Sequence, residues 1–220
     1  MKKIVVVHTS LVSHEELTRL FSEIIPEAEI RNIIDDSLLA EVSANGHITP
    51  GIVSRMCKYF ENAQAIGADL IFNQCSSVGE AAAIAARTVS VPVLRIDEAM
   101  AEEAVSLGQR IGVVATVGST VEPSCNLVRS KALSAGRNVE VIPYLVDGAL
   151  DVLMREGRER HNALVMEAVR RCARECDVVV LAQASMTVLL PLVSDFDKPV
   201  LTSPERAVRR ARQLLFPEQL

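Results

Sequence analysis

Eight short apolar, mostly β-branched runs recur along the chain: IVVV (4–7), AEIRNII (28–34), DLIF (69–72), VPVLR (91–95), RIGVVA (110–115), VEVIPY (139–144), DVVVLA (177–182) and KPVL (198–201). Their apolar positions are continuous rather than alternating, the pattern of strands covered on both faces, as in parallel sheets with helices outside. The intervening segments carry helix signals. Ser13 with Glu16 three residues on predicts a capping box before LTRLFSEI, and Thr49-Pro50 predicts a helix through Ala65 with proline at its first position. Gly67 and Gly108 are expected as helix stops. Residues 35–48 are polar and weakly patterned, which predicts a loop with a short helix that covers a site.

The pattern repeats. Ala68-DLIFNQCSSVGE aligns without gaps on Cys176-DVVVLAQASMTV, pairing Asp69 with Asp177, Cys75 with Gln183 and Ser77 with Ser185. Each copy is followed by X-Pro-Val, at Val91-Pro92-Val93 and Lys198-Pro199-Val200, and the opening IVVVHTS matches IGVVATV, setting Thr9 against Thr116. Generic α/β patterning explains the apolar runs but not the aspartate, serine and proline kept in register, so the chain is read as an internal duplication. The expected fold is α/β with two pseudo-symmetric flavodoxin-like halves: 1–97 plus 206–220 carrying Cys75, and 98–205 carrying Gln183. Ligands of open α/β sheets sit beyond the carboxyl ends of the strands, which places the expected site in the cleft between the halves.

Composition narrows the partners. In 220 residues the hydrophobic share is 49%, enough for a sizeable core, and a net charge of −5 with no basic run of the needed kind speaks against nucleic acid and against an anionic membrane surface. The first apolar run is too short for a signal-peptide core or a spanning helix. Five cysteines, an odd number without a targeting signal, point to a reduced, cytoplasmic setting without disulfides. A small molecule is the expected partner, and homo-oligomerisation is left open.

Cys75 ends an apolar run and precedes Ser76-Ser77-Val78-Gly79-Glu80 and the helix former AAAIAAR. At such a strand-to-helix turn, backbone N–H groups favour an anion, which is expected to lower the thiol's pKa and to bind a substrate carboxylate. An ordinary packing cysteine is the alternative, and the flanking Asn73, Gln74, Ser76 and Ser77 argue against it. The turn Ala115-Thr116-Val117-Gly118-Ser119-Thr120 offers hydroxyls and amides to an anion, or N-caps a helix that starts after Glu122-Pro123. His8, Thr9 and Ser10 end the first run, and His8 is a candidate acid or base. His161 reads as solvated or structural, His14 and His47 have no assignable partner, and Cys57, Cys125, Cys172 and Cys176 read as core. Arg206 to Arg212 reads as the solvated face of a last helix. No GxGxxG or GxxxxGK[ST] occurs, and no cofactor or metal is expected.

The segments DLIFNQCSSVGE, ATVGST and DVVVLAQAS, in duplicated order, resemble the aspartate/glutamate racemase superfamily, which also holds hydantoin racemases, maleate isomerases and arylmalonate decarboxylases. The resemblance spans nearly the whole chain. It implies two flavodoxin-like halves, a cofactor-free site between them and a C-terminal helix returning to the first half. In two-base members a cysteine from each half flanks the carbon beside a carboxylate. The first of these is Cys75 here; the second falls on Gln183, where the family's Gly-Cys-Thr reads Ala182-Gln183-Ala184.

An amide does not exchange protons with the needed strength, so the expected site has one thiol. It pairs catalytic Cys75 and His8 with substrate-binding Thr9, Ser10, Asn73, Ser76, Ser77, Thr116, Ser119, Thr120, Gln183 and Ser185. The expected activity is racemisation or isomerisation of a small carboxylate or carbonyl compound. The alternatives are a decarboxylase that protonates from Cys75, and a binding protein without catalysis.

Overall fold

The computed structural model describes residues 1–217. Each apolar run contains a strand: β1 Lys2–His8, β2 Ala28–Ile34, β3 Leu70–Asn73, β4 Val93–Arg95, β5 Arg110–Ala115, β6 Glu140–Leu145, β7 Val178–Leu181 and β8 Val200–Leu201. The helices are α1 His14–Ile24, α2 Ser37–Asn45, α3 Pro50–Ala65, α4 Gly79–Ala85, α5 Glu98–Leu107, α6 Gly118–Ser134, α7 Ala149–Glu156, α8 Arg158–Glu175 and α9 Pro204–Leu215. They build two four-stranded sheets, ordered β2-β1-β3-β4 and β6-β5-β7-β8, in which every pairing is parallel. Residues Met1–Glu98 with Pro204 onward form one compact unit and Ala99–Ser203 the other. Of the 206–220 stretch assigned from sequence to the first half, residues 218–220 lie outside the described ones.

The repeated residues have a structural reason. The Asp69 carboxylate accepts the Lys3 backbone N–H at 2.8 Å and pairs with the Lys2 ammonium. In the second sheet Asp177 accepts the N–H groups of Gln109 and Arg110 at 3.0 and 2.9 Å. Just beyond, Ile71 N–H donates to the Pro92 carbonyl and Val179 N–H to the Pro199 carbonyl, both at 2.9 Å. The aspartate therefore staples the start of one strand to its neighbour, and the proline supplies a carbonyl to that strand from the far side. Charge-assisted contacts of this kind fix register.

In the first sheet one face packs Val5, Val7 and Ile71 against Ile52, Met56 and Phe60 of α3, with Ala81 and Ala82 of α4. On the other, Phe72 meets Phe21 of α1 edge-to-face with centroids 5.4 Å apart. The second sheet lays Ile111, Val113, Val178 and Val180 against α5 and α6, and Val114, Val179 and Leu181 against α8. Gly112 is there for space: a Cβ would collide with the Cys172 sulfur and lie 3.0 Å from the Cys176 sulfur. Cys172 and Cys176 are buried core residues, and all five cysteines are free.

Several local readings are corrected. Ser13 precedes α1 but makes no capping bond, because its hydroxyl accepts the Gln74 amide instead. Gly67 is a left-handed stop with φ of 82°, whereas Gly108 follows its helix without positive φ and is required by the Asp177 Cβ, 2.6 Å from where its own Cβ would lie. Helix α6 begins at Gly118, not after Pro123, which the helix carries inside its second turn. The last helix is not merely a solvated basic face: Arg212 donates to the Ile24 carbonyl and pairs with Glu27, closing α9 onto α1. Residues 35–48 do contain a short helix, α2, which Arg55 and Tyr59 of α3 tie down through Asp35 and Glu41.

Candidate active site

Cys75 follows β3 and starts a 3₁₀ turn, Ser76–Val78, that runs into α4. Every residue from Leu70 to Gly79 is buried, so the turn is held from both sides. Gln74 N–H donates to the Val7 carbonyl at 3.1 Å and extends the ladder one residue past β3. The Asn73 amide donates to the Cys75 carbonyl at 2.9 Å and fixes where the chain turns. Strand alternation carries Val7, Thr9, Asn73 and Cys75 to the α3 and α4 side of the sheet.

Burial pushes the Cys75 thiol up from its ordinary pKa, and the Thr9 hydroxyl, the Ser77 and Val78 N–H groups and the Ser77 hydroxyl pull it partly back. This corrects the expectation of a lowered pKa: low dielectric outweighs the donors, and Cys75 at neutral pH is a thiol. The neutral sulfur closes no capping bond to the turn, and Thr9 Oγ1 makes no hydrogen bond in this geometry. The donors therefore surround a weak acceptor and would engage fully only with a thiolate or oxyanion.

His8 points the other way. It shares the α1 side of the sheet with Gln74, its Nε2 lies 2.9 Å from the Asn32 amide oxygen, and its ring meets that of His14 at 5.3 Å between centroids. His14, which the sequence left without a partner, is thus part of this cluster. With Nε2 donating to Asn32, His8 Nδ1 is a lone-pair acceptor, and it is buried without a partner, as is Gln74 Oε1. Burial lowers the His8 pKa, the Asn32 contact opposes this, and His14 adds to it, so the ring is neutral near pH 7. Thr9 and the buried Ser76 and Ser77 lie with Cys75, while Ser10 is half-buried beyond β1.

In the second unit Gln183 follows β7, where Cys75 follows β3. Its carboxamide oxygen accepts the Thr116 N–H at 3.1 Å, and its Nε2 is buried without a partner. Ser119 and Thr120 belong to the first turn of α6, whose N-cap is Val117 and carries no side-chain cap, so the capping alternative for these two hydroxyls does not hold. Ser185 is exposed in the 3₁₀ segment after Gln183. Thr116, Gln183, Ser119 and Thr120 thus gather at one end of the second sheet, as Thr9, Cys75, Ser76 and Ser77 do in the first.

The sequence reading missed a buried ion pair. Arg95, the last residue of β4, binds Asp97 through two contacts, Nε to Oδ1 at 3.1 Å and Nη2 to Oδ2 at 2.9 Å, with the two side chains 13% and 2% exposed. The only signal was the spacing of opposite charges in Leu94-Arg95-Ile96-Asp97. The groove of about 520 Å³ between β6 and α8 contains none of the site residues. Its Tyr144 hydroxyl donates to Glu175, and the Arg171 guanidinium lies over the Tyr144 ring. Among the described residues no group of three or more His, Cys, Asp or Glu is placed to hold a metal, and no helix is long and apolar enough to cross a membrane.

The fold and these strand ends define an α/β protein with a buried thiol at one sheet and a carboxamide at the equivalent point of the other. A family model described as Asp/Glu/Hydantoin racemase matches residues 4–211, and the chain belongs to that family. No curated protein matches in sequence. Among solved structures, aspartate racemase of Picrophilus torridus is 14% identical with a TM-score of 0.69, covering 97% of this chain and 94% of its own. Glutamate racemase RacE1 of Bacillus anthracis is 16% identical with a TM-score of 0.69, covering 99% and 83%. Allantoin racemase of Klebsiella pneumoniae is 19% identical with a TM-score of 0.63, covering 98% and 88%. At these identities the likeness is one of fold.

Proposed function

We propose that this chain is a cofactor-independent isomerase of the racemase type, acting at the carbon next to the carboxylate or carbonyl of a small substrate, with Cys75 as its one proton-transferring thiol. The observation that carries the reading is the placement of Cys75: a buried thiol at a strand end, with Thr9, Ser77 and Val78 donors around its sulfur. Proton removal beside a carboxylate moves negative charge onto its oxygens, and preorganised N–H and O–H donors in a dry site stabilise that charge.

In this proposal Cys75, protonated at rest, delivers a proton to the carbanionic carbon and becomes the thiolate that its surrounding donors favour. The carbanion itself forms only when a base takes the first proton from the opposite face of the carbon, so the proposal needs a second group. His8 fits chemically, being neutral with a lone pair at Nδ1, although it lies on the opposite side of the sheet from Cys75. Gln183 keeps its oxygen on Thr116 and offers Nε2 to orient the substrate, with Ser10, Asn73, Ser76, Ser119, Thr120 and Ser185 as further polar contacts.

The test is proton exchange in D₂O, followed by NMR over a panel of α-amino, α-hydroxy and ureido acids. Deuterium at the α-carbon that disappears in Cys75→Ser supports the proposal. Exchange that survives in Cys75→Ser removes its foundation. Release of CO₂ from disubstituted malonates would replace isomerisation by decarboxylation, and tight binding without exchange would leave a binding protein.

A further inference from the structure

Gly79, the first residue of α4, has φ of −59° and ψ of −36°, ordinary helical values open to any side chain. A glycine here is not explained by backbone conformation. It is explained by Arg95: a Cβ at position 79 would collide with the guanidinium Cζ and Nη2 and lie 2.9 Å from Nε. Three atoms of one flat group so close to the same point mean that the guanidinium plane rests on the backbone of Gly79. That residue closes the turn after Cys75, because its N–H donates to the Ser76 carbonyl. The guanidinium cannot slide away, since its Nε and Nη2 are both engaged by Asp97, itself 1% exposed.

We infer that Arg95 is a positioning residue, clamped by Asp97, that presses the Ser76–Gly79 turn against Cys75 and so governs how readily the thiol gives up its proton. Desolvating two charges is expensive, and an ion pair of this kind adds little net stability compared with apolar packing, so its retention beside the reacting turn needs a reason other than stability. A planar fork suits the task. It stacks flat on a peptide and binds a carboxylate through two nitrogens, which the point charge of lysine does not do. The Ser77 and Val78 N–H groups can follow a developing thiolate only while the turn stays in register with the sulfur, and the clamp keeps it there.

This inference rests on the reading of Cys75 as the reacting group, and its test is separable from that reading. Site-resolved iodoacetamide labelling across pH 7–11.5 follows the titration of Cys75, with half-buried Cys57 of α3 as internal reference. Gly79→Ala, which unseats the guanidinium, and Arg95→Lys, which keeps the charge but loses the fork, are each expected to raise the Cys75 midpoint by about one pH unit. Labelling at a fixed pH below the midpoint then slows by roughly tenfold, while the labelling rate of Cys57 is unchanged. A lower melting temperature with an unmoved Cys75 midpoint in Gly79→Ala overturns the inference, leaving the pair a packing feature. If Arg95→Lys does not fold, the Gly79→Ala result decides alone. Failure of the wider reading shows elsewhere, as substrate exchange that survives Cys75→Ser, so the two outcomes do not mask one another.

Discussion

Gln183 and the backbone of Thr116 are joined by a 3.1 Å hydrogen bond in which the carboxamide oxygen accepts and the strand-end N–H donates. Gln183, which follows β7 as Cys75 follows β3, is therefore half committed to its own sheet, and its remaining donor, Nε2, is buried without a partner. Substitution can separate the two halves of the amide. Gln183→Glu keeps an acceptor for Thr116 and removes the donor. It is expected to lower the melting temperature by several degrees, because a carboxylate oxygen takes the place of the buried Nε2, while raising KM roughly tenfold with kcat little changed. Unchanged KM would mean that Nε2 does not touch substrate.

Cys75 gives an alkaline prediction with a definite sign. Burial raises its pKa in the folded protein above the unfolded value, so its contribution to stability is complete below the unfolded pKa and is lost as pH rises through the folded one. Wild-type protein is expected to lose more melting temperature than Cys75→Ser between pH 8 and pH 10. Cys125 and Cys172 are raised in the same direction by burial, but both are present in each protein and cancel in the comparison. Parallel melting curves would contradict the buried thiol.

His8 works in the opposite direction. Its pKa is lowered, chiefly by burial, so the stability it confers is present above the unfolded value of about 6.5 and is lost as pH falls through the folded one. His8→Gln is expected to be less sensitive than wild type between pH 7 and pH 5, measured by thermal melts. Asp35, held low by its hydroxyl and backbone donors against burial, and Asp69, held low by Lys2 and the Lys3 N–H, lose their effect only at more acidic pH, around and below the ordinary carboxylate value.

Gly112 predicts a packing conflict. Alanine there meets the Cys172 sulfur, with Cys176 and the Tyr144 ring at 3.0 and 3.2 Å. Overpacking of this kind costs about 1–3 kcal/mol. Gly112→Ala is therefore expected to unfold at lower denaturant, and Gly112→Ala with Cys172→Ala to be more stable than the sum of the two single changes. Strict additivity in that double-mutant cycle would show that the two positions do not collide.

Much of the fold was legible because buried parallel strands write themselves as unbroken apolar runs, and the Asp69/Asp177 and Pro92/Pro199 pairs repeat for a backbone reason that survives divergence of side chains. The place of Cys75 just beyond β3 was legible from the end of the DLIF run and the polar residues that follow it. What escaped reading depends on approach in three dimensions. Ser13 and Glu16 satisfy the capping pattern, yet Gln74, distant in sequence, takes the Ser13 hydroxyl. Gly79 looks like a turn glycine and is in fact the seat of Arg95. The sign of the Cys75 shift was misread because a turn's N–H groups are visible in sequence, whereas the dielectric around the sulfur is not.

The docking of α9 on α1 orders the birth of the molecule. A ribosome releases the chain from its amino end, and the second unit has all its strands and helices once Ser203 emerges, while the first unit still lacks α9, whose Arg212 bonds the Ile24 carbonyl and pairs with Glu27. The earlier-made half therefore gains its α9 contact with α1 only after the later one has been made. Cys75, on the opposite side of that first sheet, packs against α3 and α4, which are both made before α9, so its turn has its packing partners ahead of that closure.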